Sequence, residues 1–411
     1  MAKWRESNLR ANSPVAPGPG KIAAVSRMSN TMDVFWVGPD GSINNTRWYD
    51  LNDRQWESDQ LFSPGTASAA GGIAAITRAP GTIEIFWVGP TGTVQQARWV
   101  DEEQRPGGAW EIFTVAPVGS ASTTSGIAAV SRRPDTKEVF WAAPDATLRN
   151  AHWYDSGNEW NFAALSENVA VDTHISAVAR NADNLDVVYS QVFTIEETYD
   201  WVPIYEANPY YNPHKVTGHP AFDDDGQPSH LPTGEYYPKT RRVQRYSLVI
   251  SRWSDDTKNQ LVKGIWQTET LYYTQILTAA AAVCHNPHTI EIFYAAQGIA
   301  LSPALHHSFW YDGSASWQHR VLTPPGEIST SAGITAAARK SGTIEVMWIS
   351  PEGTVHNAYW YEGRPWITYH QTEMRGAAST GDITLISRIP ESLEAFWVDW
   401  DGKLVNRHWY E

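Results

Sequence analysis

The chain has 411 residues, and its 31 Lys and Arg against 45 Asp and Glu give a net charge of −14 at pH 7. This acidic balance argues against nucleic acid and membrane surfaces as partners, because both are bound through basic patches. Cys284 is the only cysteine in the sequence, which excludes a disulfide framework and a cysteine-based metal site.

The hydropathy pattern favours a soluble protein. The sequence lacks the run of about 18 or more uncharged apolar residues that a membrane-spanning helix needs. The first residues, MAKWRESNLR, are charged and lack the apolar core of a signal peptide. We therefore predict a soluble protein that is either intracellular or secreted with its leader removed.

One phrase recurs seven times along the chain, with a period near fifty residues in most copies. Each copy starts with a short run of small and apolar residues, at Ile22, Ile73, Ile127, Ile175, Ala280, Ile334 and Ile383. An aromatic residue follows 14 positions after each start, at Trp36, Trp87, Trp141, Tyr189, Tyr294, Trp348 and Trp397. A second aromatic, always Trp, follows at Trp48, Trp99, Trp153, Trp253, Trp310, Trp360 and Trp409. A third Trp precedes the next copy, at Trp56, Trp110, Trp160, Trp266, Trp317 and Trp366.

Each copy is predicted to form four short strands. In the first copy these are the run from Ile22, the segment DVFWV, the segment ending RWY, and the stretch beginning at Trp56. The β-rich composition and the Gly-Pro-Asp-Gly turn between the second and third segments favour strands over helices. Trp4 lies 18 residues before Ile22, which matches the 17 residues between Trp56 and Ile73, so an N-terminal strand is predicted to complete the last unit. The prediction is an all-β, seven-bladed β-propeller that forms a single domain over residues 1–411.

A cation and a carboxylate also recur in every copy. The cation lies five residues after each start, at Arg27, Arg78, Arg132, Arg180, His285, Arg339 and Arg388. The carboxylate lies eleven residues after each start, at Asp33, Glu84, Glu138, Asp186, Glu291, Glu345 and Glu394. Because they flank the first turn of each copy, we expect each pair to meet across its own hairpin as part of the scaffold.

The phrase IAAVSR…DVFWVGPDGSI…RWYD resembles the repeats of the bacterial PLL-type lectins, seven-bladed propellers that bind fucose and related sugars. The resemblance implies sugar pockets between neighbouring blades, built from recurring aromatic and polar residues. The candidates in this sequence are Trp48, Asn45, Trp99, Trp153, Asn150, Trp360, Asn357, Trp409 and Asn406. In such a pocket the apolar face of a sugar stacks on an aromatic ring while side-chain amides hydrogen-bond its hydroxyls.

The fourth copy contains an insertion at residues 193–244, between its second and third predicted strands. A segment of this length inside a compact domain is generally a functional lid or disordered, and its aromatic content favours an ordered lid. Its aromatic residues include Tyr199, Trp201, Tyr205, Tyr210, Tyr211, Tyr236 and Tyr237. An excursion packed on the rim, or a partner-docking surface, is the alternative.

The insertion does not carry a recognisable metal site. The spacings of His214, His219 and His230 match no standard zinc signature, and the acidic run at 223–226 lacks the downstream Glu of a calcium loop. No nucleophile elbow, phosphate-binding loop or dinucleotide fingerprint is present, so neither a metal nor a cofactor is predicted. If the protein is an enzyme, the candidate acid–base residues are His306, His307, His152 and His408.

Two main hypotheses for function follow. The first is a carbohydrate-binding lectin with a sugar as its partner. The second is a single site for a small hydrophobic metabolite in the channel mouth under the lid. Lectin-like propellers have been recruited in fungal secondary metabolism, and this resemblance suggests that such a site could catalyse a cofactor-free cyclisation of hetero-Diels–Alder type. That reaction needs only a shaped cavity and a hydrogen-bond donor. An interaction scaffold without a small-molecule site is a third interpretation.

Overall fold

All regular structure in the described part of the chain is β-strand. The structure, a computed structural model, describes residues 4–9, 11, 13–50, 55–100, 109–207, 228–255, 264–274, 279–297 and 302–411. Across these ranges no helix is long and apolar enough to cross a membrane. Within the described residues, 28 strands form seven antiparallel sheets of four strands each.

The first three sheets follow the predicted copies directly. Blade 1 consists of β2 (Ile22–Val25), β3 (Thr31–Val37), β4 (Ile43–Tyr49) and β5 (Trp56–Phe62). Blade 2 consists of β6 (Ile73–Ile76), β7 (Ile83–Val88), β8 (Val94–Val100) and β9 (Ala109–Ala116). Blade 3 consists of β10 (Ile127–Val130), β11 (Thr136–Ala142), β12 (Leu148–Tyr154) and β13 (Glu159–Ser166).

The remaining sheets include the blade with the insertion and the blade that closes the ring. Blade 4 consists of β14 (Ser176–Asn181), β15 (Asn184–Ala207), β16 (His230–Ser254) and β17 (Ile265–Thr274). Blade 5 consists of β18 (Ala280–Val283), β19 (Thr289–Gln297), β20 (Pro303–Tyr311) and β21 (Gln318–Val321). Blade 6 consists of β22 (Ile334–Ala337), β23 (Thr343–Ile349), β24 (Val355–Tyr361) and β25 (Ile367–His370). Blade 7 consists of β26 (Ile383–Ile386), β27 (Ser392–Val398), β28 (Leu404–Tyr410) and the N-terminal β1 (Arg5–Ser7).

The blades form a closed ring. The first strands of successive blades contact one another from β2 through β6, β10, β14, β18 and β22 to β26, and β26 contacts β2 again. Closure depends on β1, which pairs antiparallel with β28 through Arg5 and His408, Glu6 and Arg407, and Ser7 and Asn406. The predicted seven-bladed propeller with an N-terminal strand in the last blade is confirmed.

The hydrophobic core lies between neighbouring blades. Among the described residues there are seven clusters of buried apolar side chains, and each joins two adjacent blades. The second strand of a blade is packed on both faces, which explains its nearly continuous apolar sequence; every residue of β3 (TMDVFWV) is buried. Neighbouring blades therefore cover both faces of the second strand, whereas fourth strands such as β21 are exposed.

The recurring tryptophans of strands two and four join neighbouring blades. Strand-two Trp side chains are at most 2% exposed, and the indole of Trp87 donates to the Thr66 carbonyl at 3.1 Å, in the link that leads into its blade. Strand-four Trp rings pack edge-on against a Phe of the preceding blade. This contact joins Phe35 to Trp110, Phe86 to Trp160, Phe140 to Trp266, Phe293 to Trp366 and Phe396 to Trp56, with ring centroids 5.6–6.3 Å apart.

The turn between β3 and β4 needs a glycine. Gly41 has φ +76°, and a Cβ there would lie 2.4 Å from the Ala67 carbonyl oxygen in the link to the next blade. The amide of Ala67 in turn donates to the Gly41 carbonyl at 2.8 Å. The predicted Gly-Pro-Asp-Gly turn is therefore also a contact point between the hairpin and the blade-to-blade link.

The chain divides into two compact units, of which Met1–Val192 with Tyr246–Glu411 form one and Phe193–Arg245 forms the other. In the second unit, β15 extends to Ala207 and β16 begins at His230. Glu197 pairs with Arg245 and, at 3.5 Å, with Arg241.

Candidate functional site

In blades 1 to 5 the recurring cation and carboxylate meet across the first hairpin, as expected. Among the described residues, Arg339–Glu345 and Arg388–Glu394 do not come within ion-pair distance. Nitrogen–oxygen distances are 2.6 Å for Arg78–Glu84, 2.7 Å for Arg180–Asp186, 3.5 Å for His285–Glu291, 3.6 Å for Arg132–Glu138 and 3.8 Å for Arg27–Asp33. Antiparallel pairing of the first two strands brings the two positions together. The carboxylates are buried, with side chains at most 6% exposed.

The same arginines also reach the next blade. The guanidinium carbon lies over the ring of the next blade's strand-three Trp, at 4.0 Å for Arg132 and Trp253, 4.5 Å for Arg339 and Trp409, 4.9 Å for Arg388 and Trp48, and 5.4 Å for Arg180 and Trp310. Arg132 also donates to the Ala182 carbonyl of the next blade at 3.0 Å. The interfaces between blades 3 and 4 and between blades 4 and 5 therefore contain a cation, a carboxylate and an indole at one recurring position.

Between blades 7 and 1 this position opens into a cavity of about 660 Å³, which we call the 7–1 cavity. Blade 1 contributes Met32, Trp48 and Trp56 to its lining. The other lining residues are Arg5, Ser7, Asn8, Asp50, Gln55, Arg388, Glu394, His408 and Tyr410. The lining thus combines two indoles with an array of charged and hydrogen-bonding groups.

The polar groups of the 7–1 cavity are tied to one another. Tyr410 donates from its hydroxyl to Glu394 Oε1 at 2.7 Å, and Asn406 donates from Nδ2 to Glu394 Oε2 at 3.1 Å. Burial raises the pKa of Glu394 to about 7, although these hydrogen bonds and the charge of Arg388 act in the opposite direction. Ser7 Oγ and His408 Nδ1 are 2.9 Å apart. The carboxyl therefore titrates near neutral pH in a fixed position.

A second cavity, the 6–7 cavity, lies at the equivalent position between blades 6 and 7. It measures about 420 Å³ and is lined by Trp4, Glu345, Tyr359, Tyr361, Tyr369, Leu393 and Trp409. Glu345 corresponds to Glu394 in the repeat, and Leu393 corresponds to Met32. This lining has five aromatic rings and one carboxylate.

At three other interfaces the chain's own side chains lie at this position. Between blades 2 and 3, Lys137 Nζ lies 3.0 Å from Glu84 and about 5 Å from the rings of Trp153 and Trp160. Between blades 4 and 5, Arg252 lies 3.4 Å from Asp186 and stacks on Trp310 and Trp317. Between blades 5 and 6, the imidazole of His307 binds Glu291 and packs edge-on against Trp366 at 5.5 Å.

The structure separates the predicted tryptophans from the asparagines of the same strand. Trp48 and Trp409 line the two cavities, and Trp153 contacts Lys137. Trp360 packs against His285, and Trp99 packs against Trp110. Each Asn lies three residues before its Trp and therefore points to the opposite face of the blade.

The predicted asparagines are buried, with at most 4% exposed, and none lines the 7–1 or the 6–7 cavity. Asn150, Asn357 and Asn406 donate to the carboxylates of Glu138, Glu345 and Glu394, and Asn45 donates to the Val34 carbonyl. Asn150 also lines a further cavity of about 420 Å³ beside Trp141 and Phe162. The polar groups at the 7–1 cavity are instead those of Arg388, Glu394 and Tyr410, residues that the repeat pattern assigned to the scaffold or left unassigned. One sequence signal could have indicated that the interfaces differ. The tenth residue after each start is Lys at 137 and apolar in the other six copies.

The four candidate acid–base histidines lie on three different blades. His152 is on β12, His306 and His307 are adjacent on β20, and His408 is on β28. Burial lowers the pKa of all four imidazoles. His307 is stacked between Phe293 and Phe309, with ring centroids 4.6 and 4.9 Å away. The structure does not bring these histidines into one site, and only His408 lines the 7–1 cavity.

The lid aromatics are described only in part. Trp201 and Tyr236 are exposed, by 60% and 58%. The side chains of Tyr199, Tyr205 and Tyr237, and the whole of Tyr210 and Tyr211, lie outside the described residues. So do His214, His219 and residues 223–226, whereas His230 is described and exposed. In the described ranges no group of three His, Cys, Asp or Glu side chains is arranged to hold a metal ion.

Comparison with known proteins places this fold among lectin propellers. No family model matches the chain. No curated protein matches it. The BP39L lectin from Burkholderia pseudomallei matches over 96% of this chain and 98% of its own, with a TM-score of 0.69 and 16% identity. AofleA from Arthrobotrys oligospora matches over 91% of each chain, with a TM-score of 0.51 and 14% identity. The Aleuria aurantia lectin, solved with Fucα1-6GlcNAc, matches over 84% of this chain and 93% of its own, with a TM-score of 0.50 and 15% identity. The chain therefore has a lectin-like β-propeller fold, as the sequence resemblance predicted.

Proposed function

We propose that the protein is a carbohydrate-binding lectin and that the 7–1 cavity is its sugar site. The observation that carries the proposal is the composition of this cavity, where Trp48 and Trp56 line the same space as Arg388, Glu394 and Tyr410. A monosaccharide has an apolar C–H face and a rim of hydroxyls, so it requires an aromatic surface and hydrogen-bonding groups side by side.

The hydrogen-bonding groups suit hydroxyl recognition. Glu394 accepts hydrogen bonds, Arg388 donates them, and the Tyr410 hydroxyl does both. Because Glu394 and Tyr410 are already hydrogen-bonded to each other, a sugar hydroxyl meets a preformed site. The volume of about 660 Å³ lies within the range of small-molecule sites.

Fucosides are the sugars to test first. The Aleuria aurantia lectin was solved with Fucα1-6GlcNAc and the SapL1 lectin with α-methyl fucoside, and both match this chain in structure. The likeness in fold supports the choice of ligand, and the lining residues named above support the position of the site.

The test is titration calorimetry of the full chain with α-methyl fucoside and a panel of monosaccharides. We expect saturable heat that the variant Met32→Lys abolishes. Lys137 occupies the equivalent position of blade 3 and places its ammonium against a carboxylate and two indoles, so a lysine at 32 should fill the 7–1 cavity in the same way.

Leu393→Lys is the matched control, because it makes the same change in the 6–7 cavity. Tyr410→Phe, which removes only the hydroxyl bound to Glu394, provides a milder test that does not require a buried charge. Absence of heat with every sugar of the panel, in folded wild-type protein, would contradict the proposal, as would sugar binding by a folded Met32→Lys variant.

A further inference from the structure

The chain's own cations show what the recurring position between blades accommodates. The ammonium of Lys137 lies 4.9 Å from the centroid of Trp153, 5.1 Å from that of Trp160 and 3.0 Å from Glu84. All three distances suit a cation–π contact combined with an ion pair. Lys137 is 6% exposed. Burial lowers its pKa, and the ion pair with Glu84 compensates part of the lost hydration.

A different side chain reaches the same place from the other side of another interface. Arg252 belongs to the earlier of its two blades, whereas Lys137 belongs to the later. Its guanidinium lies 4.8 Å from the centroid of Trp310, 4.6 Å from that of Trp317, and 3.4 Å from Asp186. Two unrelated side chains thus place a cation between the same three groups, so the position accommodates a buried cation.

The 6–7 cavity has these groups without such a cation. Trp409 and Trp4 correspond to the two indoles, and Glu345 corresponds to the carboxylate. Leu393 stands where blade 3 has Lys137, and Tyr359 stands where blade 4 has Arg252. Neither replacement brings a charge, and the volume of about 420 Å³ remains open.

The arginine that stacks on Trp409 does not exclude a second cation. Arg339 lies 4.5 Å from the Trp409 centroid. Between blades 4 and 5, however, Trp310 carries both Arg180, at 5.4 Å, and Arg252, at 4.8 Å. One indole at this position therefore accommodates two cations.

Tyr359, Tyr361 and Tyr369 complete an aromatic cage in the 6–7 cavity, and hydrogen bonds hold two of these rings in position. The Tyr359 ring lies 5.3 Å from Tyr361 and 5.9 Å from Tyr369, at interplanar angles of 49° and 69°. The Tyr361 hydroxyl accepts a hydrogen bond from Arg339 at 2.9 Å, and the Tyr369 hydroxyl accepts one from the Trp4 indole at 2.7 Å. These bonds hold the rings in place before any ligand arrives.

We propose that the 6–7 cavity binds a methylated ammonium group, such as the headgroup of choline. Aromatic cages with an acidic group recognise this class of cation. A primary ammonium has three N–H donors to satisfy, whereas a quaternary ammonium has none and suits a lining of five rings, Leu393 and one carboxylate. The inference is independent of the proposed sugar site, because the two cavities share none of their lining residues.

The experiment titrates the full chain with choline and with tetramethylammonium, using calorimetry and tryptophan fluorescence. We expect one equivalent of either cation to bind, and the neutral isostere 3,3-dimethylbutan-1-ol to bind about tenfold or more weakly because it lacks the charge. Glu345→Gln should weaken choline binding by about tenfold, and Leu393→Lys should abolish it.

Two further variants separate this proposal from a merely structural effect. Lys137→Leu should vacate the cage between blades 2 and 3 and raise the choline stoichiometry from one equivalent to two. Met32→Lys should leave choline binding unchanged while it abolishes sugar binding. Equal affinity for choline and its neutral isostere would overturn the proposal, as would the absence of choline binding in wild-type protein, whatever the result with sugars.

Discussion

Replacing Glu138 with Gln should change the free energy of unfolding more favourably at pH 8 than at pH 5, relative to wild type. Burial raises the pKa of Glu138 to about 7 from its ordinary value of 4.5, although Asn150 and Arg132 partly compensate its charge. Below pH 4.5 the carboxyl is protonated in both the folded and the unfolded chain. As the pH rises toward 7 and beyond, the unfolded chain ionises more readily than the folded one, so the stability that the neutral carboxyl contributes is lost.

The size of this effect follows from the difference between the two pKa values. One pKa unit corresponds to about 1.36 kcal/mol. The rise from 4.5 to about 7 therefore corresponds to about 3 kcal/mol of the free energy of unfolding, most of which is lost between pH 5 and pH 8. Glutamine has no charge at either pH and can still accept the hydrogen bond that Asn150 donates at 3.0 Å.

The assay is urea denaturation followed by tryptophan fluorescence at pH 5 and pH 8, for wild type and Glu138→Gln. A pH-independent cost of the substitution cancels when the two pH values are compared, and the ion pair with Arg132 is already included in the pKa of Glu138. We expect the variant to gain about 2–3 kcal/mol relative to wild type between pH 5 and pH 8. Glu345→Gln should behave alike, because burial also raises the pKa of Glu345 to about 7. A difference between variant and wild type that stays constant with pH would refute the reasoning.

Three further predictions concern the turns, the cysteine and the insertion. Gly41→Ala should lower the free energy of unfolding by about 2 kcal/mol or more, and Gly65→Ala by about 1 kcal/mol, in urea denaturation. Both glycines have positive φ, but of the two only Gly41 would bring a Cβ against a carbonyl oxygen, at 2.4 Å, so equal losses would contradict the clash. Burial raises the pKa of the Cys284 thiol, so a thiol reagent at pH 8 should label it more than about tenfold more slowly in native protein than in urea, and comparable rates would contradict this expectation. Replacement of 193–244 by an Asp-Gly turn should leave sugar affinity unchanged in calorimetry, because every residue that lines the 7–1 cavity belongs to the first compact unit; loss of sugar binding in the folded variant would favour a lid function.

The fold was predictable because the pairing of the first two strands of each blade appears in the sequence as a constant spacing between two residues. The first residue of a copy pairs with the aromatic 14 positions later, as in Ile22 with Trp36, Ile73 with Trp87 and Ile334 with Trp348. A hairpin of fixed length keeps this distance constant, so the sequence displays the pairing directly. The closing strand was predictable for the same reason, because Trp4 has the spacing of a strand-four Trp.

The open sites were less predictable, because they depend on contacts across blades. Lys137 and Arg252 occupy the recurring position at their interfaces, and they come from different strands on opposite sides of those interfaces. A repeat alignment shows that these residues differ from their counterparts but not where their charged ends lie. The opposite orientation of Trp48 and Asn45 was, by contrast, available from the two-residue period of a strand.

The N-terminal strand closes the ring, and a bound ligand would stabilise this closure. Its segment supplies Trp4 to one cavity and Arg5 and Ser7 to the other, and β1 pairs with β28 over only three residues. A molecule bound in either cavity therefore holds β1 to the neighbouring blades, and adds RT ln(1 + [L]/Kd) to the free energy that opposes its detachment. Resistance of the N-terminal segment to proteolysis would then rise with ligand concentration, so that the ring would be most firmly closed when its sites are occupied.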